Sequence, residues 1–162
     1  MNDLFAPPGS DWQPVSGALA RMRRTLLAGL AAVLLLAVVV AGLVWLPAWL
    51  WLGLVVLVLV LAGWGWVLIG RNARSWGYAE RAEELYITHG VMFRKLVVVP
   101  YGRMQFVDVH AGPVEQAFNL ASVHLHTASP GTSARIPGLP ETEAGRLRDR
   151  LTSLGEAQAA GL

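Results

Sequence analysis

Between Arg24 and Arg71 the chain carries no charged residue over 46 consecutive positions. A core helix of a small soluble protein does not need such a run, but two passes through a bilayer do. Leu26–Leu46 and Trp49–Ile69 are each 21 residues long and almost wholly apolar. At 1.5 Å per residue each makes about 31 Å of helix, which matches the hydrocarbon thickness of a membrane. Leu46-Pro47-Ala48 separates them. A proline inside a helix removes a backbone donor and clashes with the preceding turn, so the run reads as two helices closed into a hairpin.

The flanks of this run carry its topology. Arg21, Arg23 and Arg24 precede the first span, and Arg71 and Arg74 follow the second. The turn around Pro47 has no charge, so the positive-inside rule predicts a multi-pass protein of the cell membrane with both termini in the cytoplasm. Trp45, Trp49 and Trp51 gather at the closed end, and Trp64, Trp66 and Trp76 near the open end. Indoles favour the membrane–water boundary, and with the five arginines the first three are the predicted interface anchors. Neither span holds Asp, Glu, Lys, Arg, His, Asn or Gln, so two such helices build no transport path by themselves. Gly29, Gly42, Gly53, Gly63 and Gly65 are scattered small residues best explained by packing.

Residues 1–20 are polar and rich in proline and glycine, including Pro7, Pro8, Gly9 and Pro14, and read as a disordered lead-in. Residues 71–155 read as a small folded domain after a connector at Arg71–Gly77, and 156–162 as a flexible tail. Glu84–His89 alternates, with Leu85, Ile87 and His89 on one face. Gly90 signals a turn, Val91–Pro100 a longer strand, and Arg103–His110 a third. Val114–Leu120 reads as a short helix or a loop. Ser122–Ala128 alternates again, Ser129–Thr132 holds a Pro-Gly turn signal, and Ala134–Ile136 closes the sheet. Pro140 suits the start of a helix whose Ala144, Leu147, Leu151 and Leu154 form one apolar stripe, with Gly155 just past its end. About five strands and one amphipathic helix make a small bent antiparallel sheet capped by a C-terminal helix.

The run Val99-Pro100-Tyr101-Gly102-Arg103-Met104-Gln105-Phe106-Val107-Asp108-Val109 resembles the signature strand of the bacterial PH-like domain. Gly112–Ala121 and Val123–Ser129 continue the likeness downstream, and Leu85–Arg94 precedes it. Two hydrophobic spans ahead of one such domain are similar to the YdbS-like membrane proteins, from Arg21 to about Leu154. The resemblance implies a PH-like fold on the cytoplasmic side. It also implies a homo-oligomer or a membrane partner carrying several such domains, and a role in export or antimicrobial resistance. The family supplies no catalytic residues to transfer. Where it often has glycine this chain has Asn119, which tolerates the left-handed conformation such a turn needs.

Arg103 and Gln105 lie in the signature strand with one side-chain phase and are candidates for a partner surface; Arg94 and Lys95 are the other candidate interaction residues. Residues 71–162 hold ten basic and nine acidic side chains, a balance that does not favour polybasic lipid recognition and leaves an anionic-lipid-sensing module as the alternative function. Net charge is +2, too small to argue for nucleic acid. With no cysteine, thiolate metal sites, iron–sulfur clusters and cysteine nucleophiles are excluded. His124 and His126 share a strand face with His110 nearby, but two histidines at spacing two read as ordinary face residues, and zinc takes three converging ligands. Ser129, Thr132 and Ser133 lack a nucleophile-elbow pattern, and no phosphate-binding glycine motif occurs. The expectation is a membrane interaction protein with no enzyme activity, no cofactor and no metal. The mechanism expected is assembly by avidity.

Overall fold

The computed structural model describes residues 11–45, 47–127 and 133–159, with side chains described to Gln158. Pro7, Pro8 and Gly9 of the lead-in, Leu46 of the predicted break, the Pro-Gly turn at 129–132 and the last three tail residues therefore lie outside the described residues. The chain divides into two compact units, Ala20–Arg71 and a second unit made of residues up to Leu19 together with Asn72–Leu162.

The first unit is the helical hairpin. Helix α1 spans Gly17–Val44 and helix α2 Ala48–Arg74, and both are long and apolar enough to cross a membrane. Their apolar side chains remain largely uncovered, among them Leu30, Val33, Leu36, Leu59, Val60 and Leu61, which a soluble core helix would have buried. Close approach of the two helices uses two of the five glycines. A Cβ on Gly42 would strike Trp51 Cγ at 2.6 Å, and one on Gly65 would meet Leu27 Cδ2 at 3.1 Å, whereas Gly29, Gly53 and Gly63 face open space. The predicted connector from Arg71 is instead the last turn of α2, which runs on through Arg74.

The second unit holds two antiparallel sheets. Strands β1 (Gln13–Pro14), β2 (Gly77–Glu80), β3 (Glu84–His89) and β4 (Lys95–Pro100) form one in that order. Strands β5 (Met104–His110), β6 (Leu120–Thr127) and β7 (Ala134–Pro140) form the other. A 3-10 turn at Tyr101–Arg103 links the sheets, and the short helix α3 (Pro113–Ala117) links β5 to β6. Helix α4 (Glu141–Ala159) packs on β5, β6, β7 and the 3-10 turn.

The alternation read from sequence holds. Leu85 and Ile87 of β3 and Val123, Leu125 and Thr127 of β6 are buried, as are Ala144, Leu147 and Leu151 of α4. Asn119 adopts φ +52, the left-handed conformation that asparagine accommodates.

Four expectations need correction. The disordered lead-in does not hold for residues 11–19. Gln13 pairs with Tyr78 and Pro14 with Gly77, Val15, Ala18 and Leu19 are buried, and Ser16 Oγ accepts the Ala18 amide as the N-cap of α1. The folded unit thus begins before the hairpin, which is inserted between β1 and β2, rather than at residue 71. Strand β4 starts at Lys95 and not Val91, because Gly90 at φ +113 turns the chain and Val91–Arg94 form the tip. Helix α4 continues through Gly155 to Ala159, so Gly155 is not its terminus and the tail is ordered through its first residues.

Candidate interaction surfaces

The signature strand ends against α4. Met104, Gln105, Phe106 and Val107 of β5 and Leu151, Thr152, Gly155 and Glu156 of α4 line a groove of about 300 Å³. Gly155 lies in its wall, where a Cβ would meet Met104 Cε at 3.7 Å and Tyr101 O at 3.8 Å, both ordinary contacts. The pairing of β5 with β6 slips between Met104 and Phe106, so Gln105 is the extra residue of a bulge at the groove it helps to line. Among the described residues β5 has no neighbouring strand on its other side. Phe106 is about half exposed and stacks on His126, ring centroids 4.2 Å apart.

The structure therefore brings Gln105 to the groove but not Arg103. Arg103 is exposed in the 3-10 turn, outside the strand phase that the sequence suggested it shares with Gln105. Tyr101 anchors that turn, fully buried, donating its hydroxyl to the Arg81 carbonyl at 3.0 Å; burial first, then Glu80, pushes its pKa up.

A second surface is the tip between β3 and β4. Arg94 and Lys95 are both exposed there, with Lys95 opposite His89 in the ladder. Sequence reading missed the two residues before them. Met92 and Phe93 are each 85% exposed, the most uncovered large apolar side chains described outside the hairpin. The signal was the glycine immediately upstream, which makes an apolar run a turn rather than a strand. Behind the tip, His89 stacks on Trp76 at 4.5 Å and the Gly90 amide donates to Ser75 Oγ at 3.1 Å. Trp76 is thus committed to the folded unit. Burial, then Lys95, lowers the His89 pKa from 6.5.

The outer face of the second sheet carries the remaining histidines. Asp108 pairs with His124 and His110 with Ser122 across the ladder, and the His110 and His124 rings meet edge to face at 5.0 Å. Burial, then Arg135, His110 and His126, lowers the His124 pKa. Ser122 is buried under Glu115 Oε1 at 2.8 Å and Arg135 Nη2 at 2.9 Å. Among the described residues no group of three or more His, Cys, Asp or Glu is arranged to hold a metal ion.

A polar cluster fastens β1, β2 and α4. The Tyr78 hydroxyl stands 2.7 Å from Gln13 Oε1 and 2.9 Å from Glu143 Oε1. Arg146 Nη2 donates to Glu80 and Glu143, both at 2.6 Å, and Arg150 Nε lies 3.0 Å from Glu80 Oε2. The Arg146 hydrogen bond, with that of Tyr78, holds the Glu143 carboxyl below its usual 4.5 against the opposing effect of burial.

In the hairpin, Arg21, Arg71 and Arg74 are exposed and Arg23 is half-buried. Arg24 lies over the Trp66 ring at 5.0 Å. Trp45 and Trp49 are exposed beside Pro47, while Trp51 packs on Gly42.

The profile of the bacterial PH domain family matches residues 23–154. The chain belongs to this family. It is also similar to the UPF0699 transmembrane protein YdbS of Bacillus subtilis (strain 168), with 39% identity over 79 residues. That match covers 49% of this chain and 48% of the relative, so the chain spans about half the length of the curated relative it matches. No solved structure matches. As a bacterial PH domain protein the chain joins two candidate membrane spans to a domain in which seven strands are described, together with a C-terminal helix, and strand β1 of that domain precedes the spans.

Proposed function

We propose that the protein is a non-enzymatic, multi-pass protein of the cell membrane that presents its PH domain in the cytoplasm for assembly. The partner is a second copy or a membrane protein carrying several such domains, as in an export or antimicrobial-resistance complex. Because β1 and β2 pair across the insertion, both outer ends of the hairpin return to one folded unit, which supports placing both on one side of the membrane. The arginines at those ends favour the cytoplasmic side, and Arg21, Arg23, Arg24, Arg71 and Arg74, with Trp45, Trp49 and Trp51, serve as the interface anchors.

The groove between β5 and α4 carries this reading. It combines an apolar floor of Met104 and Leu151, a bulged strand with no neighbour on one side, and Gln105 at its lip. An extended segment can add to such a strand while its side chains enter the groove. Tethering in a membrane raises effective concentration towards about millimolar, so a weak groove contact suffices. Arg103 is outside the groove, exposed on the 3-10 turn that leads directly into Met104.

The test is crosslinking of the tagged full-length chain in its native membrane, with recovery of what binds. Alanine at both Arg103 and Gln105 is expected to weaken recovery of the partner while membrane insertion is unchanged; undiminished recovery would count against this surface. Anionic-lipid sensing is the second reading, favoured by Arg94 and Lys95 at an exposed tip. It predicts enrichment on anionic membranes that falls steeply with salt.

A further inference from the structure

We propose that the β3–β4 tip is a membrane-dipping element: Met92 and Phe93 enter the interfacial layer of the same bilayer that the chain's own helices span. Arg94 and Lys95 stand at the level of the head groups. The starting observation is exposure in an otherwise well-covered sheet. Leu85, Ile87 and Val99 along the same hairpin are fully buried, yet Met92 and Phe93 at its tip are 85% exposed.

The tip is also tightly turned. Gly90 at φ +113 brings the Phe93 carbonyl so close that a Cβ on Gly90 would overlap it.

Attachment identifies the occupant. Gly90 donates to Ser75 Oγ, and His89 stacks on Trp76. Ser75 is the residue directly after α2, and only four positions beyond Arg71, the first charge past the apolar run. The tip end of the hairpin is therefore fastened to the two residues that directly follow α2, a few positions past the end of the apolar run. Charge agrees with this. No acidic residue occurs between Glu84 and Asp108, while Arg94, Lys95 and Arg103 do, which suits an anionic leaflet. Met and Phe bring no polar group that would need a partner in the acyl region, the composition of apolar elements that lie in a membrane interface.

The insertion is apolar, so it stands apart from the assembly and lipid-sensing readings and fails separately from them. Since the natural chain has no cysteine, M92C gives a single labelling site in the intact protein. The variant would carry an environment-sensitive fluorophore and be placed in nanodiscs of phosphatidylcholine alone, then with added phosphatidylglycerol. Lipid-borne spin labels and aqueous iodide would be compared as quenchers. Insertion predicts blue-shifted emission, with spin-labelled lipid quenching several-fold more strongly than iodide in both membranes. Adding F93D to M92C should reverse that preference without altering thermal unfolding, because both side chains are exposed. Dominant iodide quenching would overturn the proposal. So would shielding from both quenchers, and a dependence of that shielding on protein concentration would assign the tip to a second copy. Lipid quenching seen only with phosphatidylglycerol would also overturn apolar insertion and favour charge-selective sensing.

Discussion

Leu19 packs directly over Gly138: the Cβ that Gly138 lacks would stand 2.7 Å from the Cβ of Leu19. Leu19 is 1% exposed, and the Ser16 amide donates to the Gly138 carbonyl at 3.1 Å. The residues just before the first span are thereby part of the folded unit and are keyed to β7 at its tightest point. Gly138 also has φ +68, where an L side chain costs about 1–2 kcal/mol. Overpacking adds about 1–3 kcal/mol. Replacing Gly138 with alanine should therefore destabilise the domain by about 2–5 kcal/mol, read as a lower denaturant midpoint of the purified full-length chain, with membrane insertion retained.

The same relationship makes the lead-in indispensable to the domain. Leu19→Ala should cost about 2–5 kcal/mol, the usual range for a buried leucine. A fragment starting at Arg71 lacks Gln13, Val15 and Leu19, and so leaves the Tyr78 hydroxyl short of one partner and the core open. Such a fragment should show broad, weakly cooperative melting. Supplying residues 11–19 through a short linker to Asn72 in place of the hairpin should restore a sharp transition.

The reach of the sequence differs between elements for identifiable reasons. Two apolar runs of membrane length, the alternation of Leu85 with Ile87 and of Val123 with Leu125, and the stripe of Ala144, Leu147 and Leu151 are local patterns, and each matches its element in the structure. Strand β1 was not legible, because two residues followed by a cap show no periodicity. Its partner Tyr78 lies 65 positions away across the inserted hairpin. Strand β2 is only four residues long, and its Gly77-Tyr78-Ala79 is buried throughout, which hides any alternation. At the candidate surfaces, Gln105 is identifiable from sequence as a polar residue in a β strand, but the bulge it occupies is not. Spacing alone gives Arg103 the same phase, because it does not distinguish a 3-10 turn from a strand end.

Acid should weaken the domain in two steps. His124 has a folded pKa below 6.5, so the unfolded chain takes up its proton first, and the stability present above 6.5 declines as pH falls through the folded value. His89 contributes in the same direction. Glu143 is held below 4.5 by Arg146 and Tyr78, so its contribution is intact above 4.5 and is lost as pH falls through its own folded value. Thermal midpoints followed from neutral to acid pH should show His124→Gln flattening the upper limb. Glu143→Gln should flatten the lower limb, with a reduced midpoint at pH 7. An unchanged upper limb in the histidine variant would refute its assignment.

Gly155 separates stability from assembly. It lies inside α4, and a Cβ there meets Met104 Cε and Tyr101 O at ordinary contact distances of 3.7 and 3.8 Å. Glycine in a helix interior costs about 1 kcal/mol relative to alanine, so Gly155→Ala should raise the unfolding free energy by about that amount. Gly145 faces open space on the same helix, and Gly145→Ala should give a similar gain without touching the groove. Gly155→Leu extends the side chain over the Met104–Val107 floor and fills the space a partner segment would use. If the groove carries assembly, Gly155→Leu retains or improves the melting temperature yet loses the crosslinked partner, whereas Gly145→Ala keeps both. Equal partner recovery from the two variants would remove the groove from the interface and leave assembly to another face of the domain.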